Sequence, residues 1–272
     1  MKKPGILKQI YHHKKEEVEH RKASVPVKTL ENEPTFRRSG FSLAEHIQYQ
    51  AKPGIIAEFK TRSPSLGIIN AHADVSKITR GYMEAGASAL SILTDGHFFG
   101  GSLKNLQMAR QLNRCPILQK DFILDTYQIA EAKACGADAI LLIASMLTKD
   151  HIDELSAFAT NLGMESLLEI HSHEELDKIN HQVQLVGINN RNLNNFKVDT
   201  KNAIQLLSEI PDRFVKIAES GIQNPQQASQ LLSSGFNGLL IGSHFMKQAE
   251  PEKACKQFID QLTHKQQNHI TG

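Results

Sequence analysis

Cysteine is scarce in this sequence of 272 residues, and neither sign of charge is in excess. The three cysteines, Cys115, Cys135 and Cys255, are an odd number without a Cys-x-x-Cys spacing. This favours reduced, packed thiols over a disulfide framework. The 31 basic residues nearly balance the 29 acidic residues, and a net charge of +2 gives no field that would attract nucleic acid or a membrane surface.

Long apolar runs are also absent. No stretch approaches the roughly 18 apolar residues of a membrane span. The charged start of the chain lacks the apolar segment of about 7 to 15 residues that a secretory signal needs. The sequence therefore predicts a cytoplasmic protein with no membrane partner. Its hydrophobic content of 40% is enough for one large core.

Three segments share the pattern of a helix followed by glycine and a short apolar run, at 84–94, 134–144 and 233–243. The pattern is typical of helix-to-strand joints in which glycine takes a left-handed conformation before a buried parallel strand. Eight such strands are predicted, at 55–60, 89–93, 117–120, 139–143, 166–170, 186–189, 215–219 and 238–241. Strands alternating with helices predict an α/β fold, and their number favours a closed (β/α)8 TIM barrel over a doubly wound open sheet. Residues 1–48 precede the first strand and are predicted to be an N-terminal helical extension, with the barrel over 49–272.

Polar residues follow several of these apolar runs. They are Glu58, Lys60, Lys120, Glu169, Asn189 and Glu219. Because the carboxyl ends of barrel strands form one face, we expect these side chains to converge there. Glu58 and Lys60 lie two apart on a strand and hence on the same face, where an ion pair is expected, in an active site or in a structural salt bridge. The following Ser63-Pro64-Ser65 is either a phosphate-binding turn or an ordinary helix entry.

Seven ordered segments together carry a resemblance to a known family. They are EFKTRSPS (58–65), LTDGHFFGGSL (93–103), LQKDF (118–122), LLEI (167–170), GINNRNL (187–193), AESGI (218–222) and IGSHFM (241–246). Their order and spacing resemble indole-3-glycerol phosphate synthase, and the extension resembles the helical lid of that family. The resemblance implies conversion of 1-(2-carboxyphenylamino)-1-deoxyribulose 5-phosphate to indole-3-glycerol phosphate, with loss of carbon dioxide and water. It implies no metal and no redox cofactor.

The resemblance also implies catalytic roles. Lys120 matches the general acid on the substrate carbonyl, and we expect nearby cations to bring its pKa closer to neutrality. Glu169 matches a carboxylate that acts as a base or stabilises positive charge on the anilino nitrogen. Glu58 and Lys60 match a second acid/base pair. The remaining matches are Asn189, which would orient Glu58 or substrate hydroxyls, and the rim residues Glu219 and Ser220.

Substrate contacts follow in the same way. Arg191 matches the residue that holds the anthranilate carboxylate in a bidentate contact. Phe99 and Leu193, with Phe98, match an apolar wall for the substrate ring, although an aromatic pair at a strand end is equally typical of a core. The residues that match a phosphate site are Ser63, Gly221, Gly242 and Ser243, at joints where barrels commonly bind phosphate.

Two departures from the family pattern and three other interpretations are open at this stage. His244 stands where the family has a small hydroxyl residue, and Asn192 where it usually has Asp. The pattern His171-x-His173-x-Glu175 is compatible with a metal site, but Ser172 with Glu175 predicts a capping box instead.

Two alternative functions are open. One is a Schiff-base aldolase that uses Lys120 or Lys60, and the other is a non-catalytic phosphometabolite-binding barrel. The expected partner is a small phosphorylated substrate, and the expected state is a monomer or weak homo-oligomer.

Overall fold

Eight parallel strands close into a barrel in this computed structural model, which describes residues 5–48, 53–190 and 200–270. The strands are β1 (Ile55–Phe59), β2 (Ala89–Leu93), β3 (Ile117–Lys120), β4 (Ala139–Ile143), β5 (Glu165–Ile170), β6 (Leu185–Asn189), β7 (Val215–Glu219) and β8 (Gly238–Ile241). Each strand pairs with the next along the chain, and β8 pairs with β1. The predicted TIM barrel is confirmed, and each predicted strand boundary lies within one residue of the observed one.

Helices surround the barrel and also precede it. They are α1 (Ile6–Ser24), α2 (Val27–Leu30), α3 (Leu43–Gln48), α4 (Val75–Glu84), α5 (Leu103–Leu112), α6 (Thr126–Cys135), α7 (Lys149–Asn161), α8 (Thr200–Leu207), α9 (Pro225–Ser233), α10 (Ser243–Met246) and α11 (Pro251–Ile270). Short 3₁₀ helices lie at Pro34–Arg37, Ala144–Met146 and His173–Lys178. Over the described ranges, none of the helices combines the length and the apolar character that crossing a bilayer requires.

The glycine joints behave as predicted. Gly86, Gly136 and Gly235 have φ angles of 96°, 90° and 111°, in the left-handed region that lets the chain leave a helix and enter a buried strand. The predicted capping box after β5 was wrong. Glu175 Oε2 accepts the backbone N–H of His171 at 2.6 Å, which lies before the predicted cap, and the segment forms a 3₁₀ helix instead of an α-helix.

The N-terminal extension packs against both ends of the barrel. Ile10 of α1 and Leu43 and Ile47 of α3 belong to the same buried cluster as the inward-facing residues of the strands. The start of α3 is fixed by Glu165, whose carboxylate accepts the backbone N–H groups of Leu43 and Ala44 at 2.7 and 3.0 Å. A charged residue at the start of β5 therefore supplies the anion that the helix N-terminus requires.

Candidate active site

A cavity of about 460 Å³ opens at the carboxyl ends of the strands. Of the site residues expected from the sequence that fall within the described ranges, all except Phe98 line this cavity. Those that line it are Glu58, Lys60, Ser63, Phe99, Lys120, Glu169, Asn189, Glu219, Ser220, Gly221, Gly242 and Ser243. Phe98 instead packs edge-on against His13, with 5.6 Å between ring centroids. Arg191 and Leu193, the remaining two, lie outside the described residues, as does Asn192.

The ion pair expected on the first strand is present. The amino group of Lys60 contacts the buried carboxylate of Glu58 from the same face of the strand end. Gly242, at the end of β8, makes room for this carboxylate, because a Cβ at that position would lie 2.1 Å from Glu58 Oε1. The glycine is thus required by a close approach at the base of the cavity.

Lys120 lies between two carboxylates. Its Nζ is 3.2 Å from Glu169 Oε2 and 3.0 Å from Glu219 Oε2. The expectation that cations would bring the pKa of Lys120 towards neutrality was wrong. Burial by itself lowers this pKa, but the charges of Glu219 and Glu169 outweigh burial and raise it. The lysine is therefore a charged donor at neutral pH.

The two carboxylates beside Lys120 differ in acidity. Burial favours the neutral form of Glu169, but Lys120, His171 and a hydrogen bond from Asn189 outweigh it and lower the pKa. For Glu219, burial and the charges of Glu169 and Glu58 outweigh Lys120 and raise the pKa to about 7. One group is thus ionised while the other exchanges a proton near neutrality, a pattern typical of acid/base sites.

Asn189 and Glu219 occupy positions that differ from those expected. Asn189 hydrogen-bonds Glu169, whereas the sequence suggested Glu58 or the substrate. Glu219 is 1% exposed and forms part of the cavity floor, not its rim. Gly187 of β6 leaves the space that the Glu219 side chain occupies. A Cβ at position 187 would lie 2.1 Å from Glu219 Oε1. A glycine inside a predicted strand is the signal that could have indicated this approach.

A sharp turn follows β7 in the cavity wall. Ser220 has a φ of 65°, which is unusual for a residue with a side chain, and Gly221 follows with a φ of 75°. Asn190 holds this turn, because its Nδ2 donates to the Ser220 carbonyl at 2.9 Å and its backbone N–H donates to the Glu219 carbonyl at 2.9 Å. Backbone strain of this kind is typical of functional sites.

The glycine and serine positions expected for phosphate follow three adjacent strands, β7, β8 and β1. Ser63, Gly221, Gly242 and Ser243 line the cavity together with Lys247, a residue that the sequence did not single out. Lys247 follows α10, one turn after Gly242 and Ser243, and that spacing was its only signal. His244 packs edge-on against Phe258 at 5.3 Å, and burial lowers its pKa, which favours a neutral ring.

Apolar side chains form another part of the cavity wall. Phe99 lies 5.7 Å from Phe122 between ring centroids, and both line the cavity. Ile6, Leu7 and Ile10 of α1 complete this wall. The sequence predicted a helical extension that resembles a lid, but it did not identify these three residues as part of the site. The extension therefore contributes directly to the cavity.

The histidines after β5 lie beside carboxylates. His173 Nδ1 lies 2.8 Å from Glu209 Oε1, and His171 Nε2 lies 3.5 Å from Glu169 Oε1. Among the described residues, no group of three or more His, Cys, Asp or Glu side chains is arranged to hold a metal ion.

Comparison with known proteins places the chain in a family. A family model described as indole-3-glycerol phosphate synthase matches residues 7–258. The indole-3-glycerol phosphate synthase of Bacteroides thetaiotaomicron is 46% identical over 93% of this chain and 97% of its own, and that of Salinibacter ruber is 40% identical over 92% and 93%. A mutant tryptophan synthase alpha-subunit from Pyrococcus furiosus, at 16% identity, shares the fold with a TM-score of 0.59 over 78% of this chain and 98% of its own. The chain belongs to the indole-3-glycerol phosphate synthase family, whose members are decarboxylating lyases of tryptophan biosynthesis.

Proposed function

We propose that the residues lining this cavity close the indole ring of 1-(2-carboxyphenylamino)-1-deoxyribulose 5-phosphate, with Lys120 as the acid on the carbonyl. The observation that carries this proposal is that Lys120 Nζ lies within 3.2 Å of two buried carboxylates. The pKa of one, Glu169, is lowered, and the pKa of the other, Glu219, is raised. A charged amine in such a site donates to the oxygen on which negative charge develops. The carbonyl carbon bonds to the ring carbon that carries the carboxylate, and the oxygen takes a proton.

The later steps need an anion and two proton transfers. The carbon–carbon bond to the carboxylate breaks, carbon dioxide leaves, and its electron pair restores the ring. Glu169 has the lowered pKa that suits stabilisation of the positive anilino nitrogen. The new hydroxyl then leaves as water, with one proton supplied and one removed. We assign these transfers to Glu219, whose pKa is about 7, and to the Glu58–Lys60 pair.

The polar and apolar residues that line the cavity suggest how the substrate is held. Ser63, Gly221, Gly242 and Ser243 are proposed to bind the phosphate, with Lys247 neutralising its charge. Phe99 is proposed to contact the aromatic ring. Arg191 and Leu193 keep the roles implied by the resemblance, for the anthranilate carboxylate and the ring.

Steady-state assay of the purified chain tests the proposal. We expect an indole-fluorescent product without added metal, and Lys120→Met should lower kcat by about 10² to 10⁴-fold. The matched control is Lys216→Met, which removes a buried strand lysine that pairs with Asp212 outside the cavity. A folded Lys120→Met variant with kcat close to wild type would exclude Lys120 as the acid. Absence of product from folded wild-type protein would refute the proposed reaction.

For Lys120, the Schiff-base alternative is disfavoured by the charge state of its amino group. A nucleophilic amine must be neutral, whereas the pKa of Lys120 is raised. Borohydride reduction in the presence of substrate is therefore expected to leave Lys120 unmodified, as mass spectrometry would show.

We also propose that the protein works in the cytoplasm as a monomer or weak homo-oligomer. Its three cysteines are buried and form no disulfide, which suits a reducing compartment. Size-exclusion chromatography with light scattering would test the oligomeric state.

A further inference from the structure

A lysine of the N-terminal extension has its amino group buried at the ends of two barrel strands. Lys14 of α1 is 0% exposed, and its Nζ lies 3.0 Å from Asp95 Oδ2 and 2.9 Å from Asp121 Oδ1. Glu17, on the next turn of the helix, lies 3.0 Å away. Asp95 follows β2 and Asp121 follows β3. Removing the positive charge of Lys14 would leave the aspartate charges buried without a counter-charge, and removing the aspartate charges would do the same to the lysine.

The two aspartates also hold backbone and side chains near the cavity. Asp95 Oδ1 accepts the backbone N–H groups of Phe98 and Phe99 at 2.7 and 3.0 Å, while Oδ2 faces Lys14. Asp121 directly follows Lys120, and its Oδ2 accepts the Thr94 hydroxyl at 2.5 Å. Lys14 is thus connected to the turn that carries Phe99 and to the residue after the proposed general acid.

The face of α1 that carries Lys14 also faces the cavity. Ile10 lies four residues before Lys14 and therefore on the same face of the helix. Ile10 and Leu7 line the cavity. Rotation or translation of α1 would displace these side chains together with the amino group.

We propose that Lys14 is a positioning residue for the reaction, holding α1 over the cavity and, through Asp95, fixing the turn that carries Phe99. This inference rests on the proposed function. Burial lowers the pKa of Lys14, but Asp121, Asp95 and Glu17 outweigh burial and raise it. The ion pairs consequently persist throughout the neutral pH range.

The test compares two lysines of the same helix. Lys14→Met removes the buried amino group, and Lys22→Met removes a partly exposed one that pairs with Asp125 at 2.5 Å. We expect kcat/KM to fall by about 10- to 100-fold in Lys14→Met, because displaced substrate-contacting groups lower turnover. The Lys22→Met value should stay within about twofold of wild type. A purely structural role would lower the melting temperature of Lys14→Met and leave kcat and KM unchanged well below that temperature.

Hydrogen exchange gives a second measurement that does not depend on activity. The amides of Phe98 and Phe99 should exchange about tenfold faster in Lys14→Met, because the carboxylate that holds them loses its partner. Wild-type exchange at these amides, or wild-type kcat/KM in the folded variant, would overturn the proposal.

Asp95→Asn tests the same connection if Lys14→Met fails to fold. It keeps the shape of the side chain and weakens the pair with Lys14, so kcat/KM should again fall and the amides of Phe98 and Phe99 should exchange faster. A folded Asp95→Asn with wild-type kinetics and exchange would overturn the proposal. Failure of the wild type to form indole product would instead refute the reaction, while the exchange data would still decide the role of Lys14.

Discussion

A methyl group at Gly187 is predicted to displace Glu219 from Lys120. The Cβ of an alanine there would lie 2.1 Å from Glu219 Oε1 and 3.1 Å from its Cδ, whereas ordinary contact begins at 3.4 Å. The carboxylate must therefore move by about 1 Å or more to relieve the overlap. Its Oε2 now lies 3.0 Å from Lys120 Nζ, so this movement disturbs the proposed acid/base group.

The size of the effect follows from overpacking and from misplacement. Overpacking of a buried site costs about 1–3 kcal/mol, which is smaller than the roughly 5–15 kcal/mol that stabilises a folded domain. Gly187→Ala should therefore fold, with a melting temperature lower by about 2–4 °C for each kcal/mol lost. Displacement of a catalytic group by about 1 Å can reduce turnover by up to about 10²-fold, and we expect kcat to fall by about 10- to 100-fold.

Steady-state kinetics and thermal unfolding of three variants test this reasoning. Gly96→Ala is the control, because a Cβ there would meet its nearest neighbour, the Gly101 carbonyl, at an ordinary 3.7 Å. Gly187→Ala combined with Glu219→Asp should recover stability, because the shorter side chain relieves the overlap, but should not recover turnover. Wild-type kcat and melting temperature in Gly187→Ala would refute the steric argument.

Two further predictions concern pH and the base of the barrel. The pKa of Glu219 is raised from 4.5 to about 7, so the folded state holds a proton that the unfolded state releases within this range, and wild-type stability should fall as pH rises through it. Glu219→Gln removes this titrating group. The free energy of unfolding in urea should therefore rise for the variant relative to wild type between about pH 5 and about pH 8. The same pH dependence of the unfolding free energy in both proteins would contradict the assignment. Glu165→Gln weakens the cap of α3 and should lower the free energy of unfolding by about 1–2 kcal/mol with kcat/KM unchanged, and equal urea midpoints would contradict this role.

The barrel was predictable because the sequence pattern of each helix-to-strand segment agrees with the position that the segment takes in the barrel. Short apolar runs follow glycines such as Gly86 and Gly136, and these glycines take the left-handed angles that the joints require. Polar residues at the carboxyl ends of the strands, such as Lys120 and Glu169, were predictable for the same reason, since parallel strands end on one face. Strand position alone brings these residues to the cavity.

Contacts between distant segments were not predictable in this way. Lys14 lies among the charged residues of α1, and its spacing is equally typical of a solvated helix face. Its burial depends on Asp95 and Asp121, which come from two loops of the barrel. The same applies to Glu165 and α3, because the carboxylate that caps the helix is far away in the sequence.

The charge state of the site depends on distances that residue order does not contain. Lys60 and Lys120 both lie at the carboxyl ends of strands, so the sequence suggested that cations would lower the pKa of Lys120. In the folded chain Lys60 pairs with Glu58, and Lys120 faces Glu169 and Glu219. Hydrogen bonding from Asn189 and the charge of His171 add to Lys120 in lowering the pKa of Glu169, whereas burial and the charges of Glu169 and Glu58 outweigh Lys120 at Glu219. This asymmetry leaves Glu219, and not Lys120, as the group of the three whose proton is exchangeable near neutral pH.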